Sequence, residues 1–316
     1  MYTGFAIALA WPQTYCKQSG AWYDGIMNIL GLSQNHYYKV GHAAVVLVEA
    51  KTGVCYYFDF GRYHAPFGHG RVRDQQTDHE LKMASKARVS DEGYIENFEE
   101  ILVELSSNTA CHGVGPLYGS YCKIVFEKAF AMAKQMQENS PLKYGPFVWT
   151  ATNCSRFVRT IVLSGNPAIV NKIRIGVPLT ISPTPIGNVC SLNKRKIYKG
   201  FQMPNAECEK DDLYSADKRL KLTLEAPPIP GFIPRNSHWL AGEGAGSWFH
   251  IKENKKLLFE ITRYSADGKT ESSGGFQIKN NHALDLNKDY EFTHISHCKS
   301  VNIRQGKSIV HLERTI

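Results

Sequence analysis

Two strongly β-prone runs close to the amino terminus constrain the fold more than any other feature of the chain. Residues 42–49 are almost entirely apolar, residues 50–53 carry turn chemistry, and residues 54–60 form a second aromatic and β-branched run. Such runs joined by a short turn are typical of a β-hairpin. Residues 5–11 are also apolar, and we expect residues 2–11 to form a buried strand.

Helical periodicity replaces the β pattern further along the chain. Residues 61–73 are rich in Gly, His and Arg and show little apolar periodicity, which predicts a surface loop. The spacing of apolar residues then predicts two amphipathic helices, over residues 95–105 and 124–136. Sheet and helices in this order indicate an α+β domain.

The C-terminal third has a different character. Proline-rich stretches around residues 176–204 and 227–234 predict a linker. After them the sequence predicts a small all-β module with strands at 248–251, 257–264, 274–278, 290–297 and 308–312. We therefore expect an α+β domain over residues 1–195, a connecting segment over 196–235 and a β-rich accessory domain over 236–316.

Composition excludes several classes of protein. No apolar run approaches the roughly 20 residues of a membrane-spanning helix. The net charge is +8, but the densest basic stretch, Lys194 to Lys199, lacks the interleaved aromatic residues of single-strand nucleic-acid binders. We interpret that stretch as a solvated basic face and expect neither a nucleic-acid partner nor a membrane span.

Cysteine usage and the amino terminus bear on location. The eight cysteines contain no Cys-x-x-Cys pair, which favours neither a zinc site nor a disulfide framework. No Lys or Arg precedes the apolar residues 5–11, so they match a secretion signal poorly. The expectation is a cytoplasmic protein with no metal and no other cofactor.

Cys154 is the candidate nucleophile. Thr152 or Asn153 can cap a helix that starts there, and Gly165 and Pro167 end it, so Cys154 falls in its first turn. The free amides and the dipole at a helix N-terminus favour a thiolate, which is the reactive form of cysteine.

His42 is the best candidate for the base that such a thiol needs. It follows Gly41 and opens an otherwise apolar strand, where a polar ring needs a hydrogen-bonding partner. If the hairpin turns at residues 50–53, the region opposite His42 contains Asp59, which is the candidate to orient the imidazole. A small change of register would bring His64 next to His42 instead. Asp59 could also have a purely structural role, as the ion-pair partner of Arg62.

The stretch Asn153-Cys154-Ser155-Arg156-Phe157-Val158 resembles the nucleophile motif of the NlpC/P60 superfamily of papain-like proteins. In the cell-wall peptidases of that superfamily the cysteine comes first, whereas here His42 precedes Cys154 by 112 residues. This order is similar to the circularly permuted branch, which includes lecithin:retinol acyltransferase-like enzymes and uncharacterised bacterial hydrolases.

The resemblance covers about residues 42–165 and implies a permuted papain-like fold, with an antiparallel sheet packed on the nucleophile helix. It also implies that first-turn amides near Cys154 help to bind an oxyanion. Arg156 stands where many cell-wall peptidases have glycine and the acyltransferases another polar residue, so the resemblance leaves the substrate class open.

Other residues compete for functional roles. Cys16 precedes His42, as in non-permuted peptidases, but Gln18, Ser19 and Gly20 do not open a helix beside it. One cluster of His and Asp residues has two interpretations, a metal site and a solvated loop. The spacings between its members match no standard pair of metal ligands on a helix, which favours the loop. Its members are His64, His69, Asp74, Asp78 and His79. Four aromatic residues are candidates for a cleft wall or for core packing: Trp11, Trp22, Tyr23 and Trp149.

The prediction is a cysteine-dependent hydrolase or acyltransferase. It would act on an amide of a peptide, an isopeptide or a cell-wall fragment through a thioester on Cys154. The alternatives are a lipid-ester acyltransferase or hydrolase of the same fold, and a non-catalytic binding or scaffold protein. The catalytic residues would be Cys154, His42 and Asp59, with peptide-like or acyl substrates as partners.

Overall fold

A seven-stranded antiparallel sheet organises the first two thirds of the chain. The computed structural model describes residues 1–17, 25, 29, 33–34, 37–38, 40–146, 148–177, 182–198, 226–254 and 258–315. Its strands are β1 (Gly4–Trp11), β5 (His42–Glu49), β6 (Cys55–Gly61), β7 (His69–Arg73), β8 (Leu117–Ile124), β9 (Leu142–Lys143) and β10 (Lys194–Tyr198). Across the sheet they have the order β10-β8-β1-β5-β6-β7-β9.

Helices cover both faces of this sheet. They are α1 (Phe98–Ser107), α2 (Phe126–Glu138), α3 (Cys154–Ser164), α4 (Ile169–Gly176) and α5 (Pro185–Cys190). Small side chains such as Ala8 and Ala43 face the core formed by α2 and α3, while larger ones such as Ile7 and Leu9 pack towards α1. Burial on both faces explains why β1 and β5 show an apolar run instead of alternation.

A second seven-stranded antiparallel sheet forms the C-terminal module. Its strands are β11 (His238–Leu240), β12 (Ser247–Asn254), β13 (Leu258–Tyr264), β14 (Thr270–Ile278), β15 (Glu291–Thr293), β16 (Ser300–Gln305) and β17 (Ser308–Arg314). A small third sheet near the amino terminus contains β2 (Cys16–Lys17), β3 (Ser33–Gln34) and β4 (Tyr37–Tyr38). Antiparallel sheets with helices and a β-rich module make this an α+β protein, as predicted.

The predicted elements agree with the structure where the pattern is local. The hairpin of β5 and β6, the helices and most C-terminal strands are present. The surface loop predicted over residues 61–73 is wrong, because β7 occupies its end and the side chains of Arg71 and Arg73 are buried. These arginines are buried because carboxylates neutralise them, which a count of apolar residues does not detect.

The end of the sheet and the connecting segment also differ from expectation. Strand β10 pairs with β8 in the first sheet and extends past residue 195, so the first sheet continues beyond the expected boundary. Residues 199–225, most of the expected connecting segment, lie outside the described residues. Within the described part of the chain, no helix is both long and apolar enough to cross a membrane.

Buried charges join the two sheets. Asp78 accepts two hydrogen bonds of 2.7 Å from Arg71 and one of 3.1 Å from Arg263 of the C-terminal module. Burial alone would raise the pKa of Asp78, but Arg71 and Arg263 outweigh it and hold that pKa well below its usual value. Buried ion pairs therefore attach the C-terminal module to the first sheet.

Candidate active site

Cys154 is the first residue of α3, as the sequence predicts. Its neighbour Asn153 is the N-cap, and the side-chain oxygen of Asn153 accepts a hydrogen bond of 2.8 Å from the amide of Arg156. Phe157 and Val158 pack beneath the sheet and fix the helix. The Cys154 side chain consequently lies where the helix meets the end of the sheet, with 7% of the residue exposed.

His42 is held at the start of β5 by its neighbours on either side. Gly41 has a φ of +76°, and a Cβ atom there would lie 3.0 Å from the Trp11 carbonyl oxygen, so glycine allows the chain to turn into the strand. The His42 ring stacks on the indole of Trp11 with centroids 5.8 Å apart. A stacked ring on a buried strand is restricted in orientation.

Asp59 is the polar neighbour of the buried His42 nitrogen. His42 Nε2 lies 3.5 Å from Asp59 Oδ2, and within the described residues it makes no hydrogen bond of normal geometry. Asp59 pairs with Ala44 across the hairpin, so its side chain lies on the same face as His42, two residues along. This register brings Asp59, and not His64, next to the imidazole.

Arg73 and Tyr57 complete the surroundings of Asp59. Arg73 donates to both carboxylate oxygens at 2.9 and 2.5 Å, and the Tyr57 hydroxyl donates at 3.1 Å. Burial acts to raise the pKa of Asp59, yet the Arg73 charge and the contacts with His42 and Arg73 keep it well below its usual value. Asp59 is therefore a carboxylate, the form that can stabilise an imidazolium.

His64 lies in the network between the two sheets. Its Nδ1 is 3.1 Å from Arg71 Nη2, which can only donate, so Nε2 carries the proton and donates at 2.8 Å to the Ser247 hydroxyl. Burial, with Arg71 and Arg263 nearby, holds the pKa of His64 well below its usual value. These hydrogen bonds to Arg71 and Ser247 indicate that His64 has a structural role between the two sheets.

A cleft of about 270 Å³ connects Cys154 and His42. Both residues line it, together with Cys16, and hydroxyl-bearing side chains form much of the remaining wall: Thr14, Tyr15, Tyr37, Tyr63 and Tyr144. His112, stacked on Tyr63 with centroids 4.6 Å apart, lies at one side. The cleft thus combines a thiol, an imidazole and several hydrogen-bonding groups.

The C-terminal module supplies part of this cleft. Glu243 and Gly244 belong to its wall. Glu243 forms an ion pair of 2.8 Å with Arg62 and accepts a hydrogen bond of 2.9 Å from the Gly68 amide, while the Gly244 amide donates to the Arg62 carbonyl at 2.8 Å. Arg62 is thus paired with Glu243 and not with Asp59.

The pKa of Cys154 departs from the expectation for a helix N-terminus. Burial is the largest influence and, with a smaller contribution from Cys16, raises the pKa of the thiol to about 12. Hydrogen bonds from the amides of Ala43 and Ser155 act in the opposite direction without overcoming burial. The resting side chain is a thiol, so a base must remove its proton before it can act as a nucleophile.

Cys16 shares the cleft but has a different setting. It lies on the short strand β2, and its sulfur is 3.8 Å from the carbonyl oxygen of Gly41. Burial raises the pKa of its thiol too, although Arg62 and Tyr144 act to lower it. The described part of β2 has no helix N-terminus that would favour a thiolate there.

Sequence patterns do not indicate all the residues around the site, and not all the aromatic candidates for the cleft wall lie in it. Arg73 and Glu243 gave no recognisable signal, although the alternation of Arg71, Val72 and Arg73 resembles a strand with one buried face. Trp11 packs on His42, while Trp149 is 96% exposed and is not among the residues that line the cleft. Trp22 and Tyr23 lie outside the described residues.

The two aspartates of the loop cluster, Asp74 and Asp78, form ion pairs with basic side chains. Asp78 binds Arg71 and Arg263, and Asp74 pairs with Lys134. Among the residues that the structure describes, no group of three or more His, Cys, Asp or Glu side chains is arranged to hold a metal ion.

A thiol and an imidazole line one cleft of an α+β domain, and a buried carboxylate lies beside the imidazole. The family model described as type VI secretion system effector TseH-like matches residues 6–169, which is more than half of the chain. The chain belongs to this family. A second model, the DUF6695 C-terminal domain, matches residues 237–315, which form the second sheet.

Comparison with solved structures finds similarity to a crystal structure of the type VI secretion system effector TseH. The TM-score is 0.41 at 18% sequence identity, and the similarity covers 62% of this chain and 97% of that chain. No curated protein matches the sequence.

Proposed function

We propose that this chain is a type VI secretion effector that cleaves an amide bond with Cys154 as nucleophile, His42 as base and Asp59 as the group that orients His42. The observation that carries the proposal is the 3.5 Å contact of His42 with the ionised Asp59 beside a cleft that Cys154 also lines. All three residues fall within the region matched by the TseH-like family model.

The first step follows from the protonation states. Asp59 faces Nε2 of His42, so the neutral ring is protonated at Nε2 and Nδ1 remains to accept the Cys154 proton. Because burial keeps Cys154 a thiol, proton transfer accompanies the attack of sulfur on the substrate carbonyl carbon. Asp59, 3.5 Å away, then stabilises the positive imidazolium.

The remaining steps return the proton and release the product. The amide of Ser155 lies in the first turn of α3, where amides can bind the oxyanion of the tetrahedral intermediate. His42 gives its proton to the leaving nitrogen, the C–N bond breaks, and a thioester forms on Cys154. Water attacks that thioester, releasing a carboxylic acid and regenerating the thiol.

An amide of a peptide, an isopeptide or a cell-wall fragment is the favoured substrate, and a lipid ester is the alternative. The cleft wall presents hydroxyl groups and the Arg62–Glu243 ion pair, which suit the polar groups of a peptide better than an acyl chain. The histidine-first order and the Asn153-Cys154 motif support a permuted NlpC/P60-type arrangement for this domain. Water or another acceptor can resolve the thioester, so acyl transfer is available to the same residues.

Membership of a secretion effector family also bears on location and on domain organisation. A cytoplasmic location would hold only in the producing cell, since an effector acts after delivery.

The proposed catalytic domain runs from the amino terminus to strand β10. The second sheet is the proposed C-terminal domain, and it closes one side of the cleft through Glu243.

One observation favours the non-catalytic alternative. A thiol whose pKa is raised to about 12 is unreactive unless a base assists it, so the same cleft could bind a ligand without turnover.

Activity measurements separate the two functions. Purified wild type should hydrolyse members of a panel of peptide, cell-wall-fragment and ester substrates, and Cys154→Ala should abolish this. The exposed Cys190→Ala is the matched control and should keep full activity. Turnover that survives Cys154→Ala would contradict the proposal.

A further inference from the structure

Helix α4 exposes an apolar face that no part of the proposed mechanism uses. Ile169, Val170 and Ile173 are 66%, 49% and 61% exposed, and Val177, just after the helix, is 69% exposed. At about 100° per residue, these positions fall within an arc of about 100° on one side of the helix axis. The opposite side packs on the protein through Ile175, and such a group of exposed aliphatic residues is unusual for a free surface.

Basic side chains flank this apolar arc. Lys172 and the exposed Arg174 lie on either side of it by the same helical rotation. The sequence has no Asp or Glu between Glu138 and Glu207, whereas that stretch contains nine Lys and Arg residues: Lys143, Arg156, Arg159, Lys172, Arg174, Lys194, Arg195, Lys196 and Lys199. The net charge of the chain is +8, so this stretch accounts for all of it.

Trp149 is a further exposed apolar side chain, on a loop that is held by the same helix, α3, as the end of α4. Its indole is 96% exposed, and its loop is bound to α3 by Arg156, which donates to the carbonyls of Val148 and Ala151 at 2.7 and 3.0 Å. Arg159 lies three residues later on the same side of α3 and donates to the Gly176 carbonyl at the end of α4. Two basic side chains of one helix face therefore hold the Trp149 loop and the end of α4.

We propose that this face binds the surface of an anionic lipid bilayer. Exposed aliphatic side chains on a convex helix, an exposed tryptophan and flanking Lys and Arg residues match the requirements of interfacial binding. An acidic protein would satisfy the charge, but a convex helix face would need a concave partner. The proposal concerns a surface separate from the Cys154 cleft and does not depend on catalysis.

Sedimentation with lipid vesicles tests the proposal. Wild type should sediment with vesicles that contain about 30% phosphatidylserine at low salt and remain in the supernatant with pure phosphatidylcholine vesicles. The double variant Ile169→Ser with Ile173→Ser, and the double variant Lys172→Gln with Arg174→Gln, should each weaken binding about tenfold.

Matched controls come from the C-terminal module. Ile309→Ser replaces an aliphatic residue that is 46% exposed, and the double variant Lys288→Gln with Lys307→Gln removes two exposed charges. Both control proteins should bind vesicles like wild type.

Vesicles should shift Trp149 fluorescence to shorter wavelength, a change absent in Trp149→Phe. Wild type that ignores anionic vesicles, or control variants that lose as much binding as the patch variants, would overturn the proposal. Failure to bind lipid would leave an acidic protein as the occupant.

Discussion

His42 Nε2 and Asp59 Oδ2 are 3.5 Å apart, and the Asp59 carboxylate that faces the imidazole is also held by Arg73. If Asp59 orients His42, Asp59→Asn should slow alkylation of Cys154 by about tenfold or more, because the imidazolium loses its counter-charge. The rate at which iodoacetamide modifies Cys154, followed by peptide mass spectrometry, measures this effect.

The control for that prediction is Tyr57→Phe, which removes one hydrogen bond of 3.1 Å to Asp59 and keeps the carboxylate charge. It should stay within about threefold of the wild-type rate, because both hydrogen bonds from Arg73 still hold the Asp59 carboxylate beside His42. Equal losses in the two variants would show that Asp59 acts through general packing and not through its charge.

Cys16 offers a second thiol in the same cleft, and it has no covalent role in the proposed mechanism. Cys16→Ser should therefore retain hydrolytic activity within about threefold, while Cys154→Ser should lose it, because a hydroxyl is a much weaker nucleophile under the same base. Turnover assays on the two variants decide the point. Loss of activity in Cys16→Ser with retention in Cys154→Ser would exchange their roles.

Much of this site follows from local sequence and part of it does not. The hairpin and the Asn153 cap were predictable because turn chemistry and capping depend on a few neighbouring residues. The proximity of Asp59 to His42 followed from hairpin register, which a short turn determines within a residue or two. These features were available without any knowledge of tertiary contacts.

Long-range contacts were not predictable from these patterns. The Arg62–Glu243 pair joins residues 181 positions apart, and no local pattern relates them. The burial of Arg71 and Arg73 depends on carboxylates that face them from other elements. The raised pKa of Cys154 likewise reflects how deeply the sheet and helix enclose it, whereas sequence position indicated only the helix N-terminus.

Asp78 should be critical for stability because it neutralises two buried arginines from different sheets. Asp78→Asn leaves that charge uncompensated, and we expect a loss of about 3–5 kcal/mol in the free energy of unfolding. Chemical denaturation checks this value. Asp267→Asn removes an exposed partner of Lys269 and should cost less than about 1 kcal/mol. Similar costs for both variants would argue against the buried network.

Stability should also depend on pH through His64. Because its pKa is lowered in the folded protein, the unfolded chain binds the proton more readily, and stability falls as pH decreases below about 6.5. The slope from one such group is about 1.4 kcal/mol per pH unit. Denaturation between about pH 7 and pH 4.5 should show a smaller slope for His64→Gln, while the exposed His282→Gln should retain the wild-type slope. Identical slopes in all three proteins would contradict this assignment.

The central claim is that His42 activates Cys154. A buried thiol with a pKa of about 12 should by itself react more slowly than an exposed thiol such as Cys190, so rapid reaction requires a base. The decisive measurement is the rate of iodoacetamide modification at each cysteine near neutral pH, in wild type and in His42→Ala. We expect Cys154 to react first in wild type and its modification to slow about tenfold or more in His42→Ala, with the rate at Cys190 unchanged. Modification of Cys154 that is no faster than that of Cys190, or that is unaffected by His42→Ala, would contradict the claim.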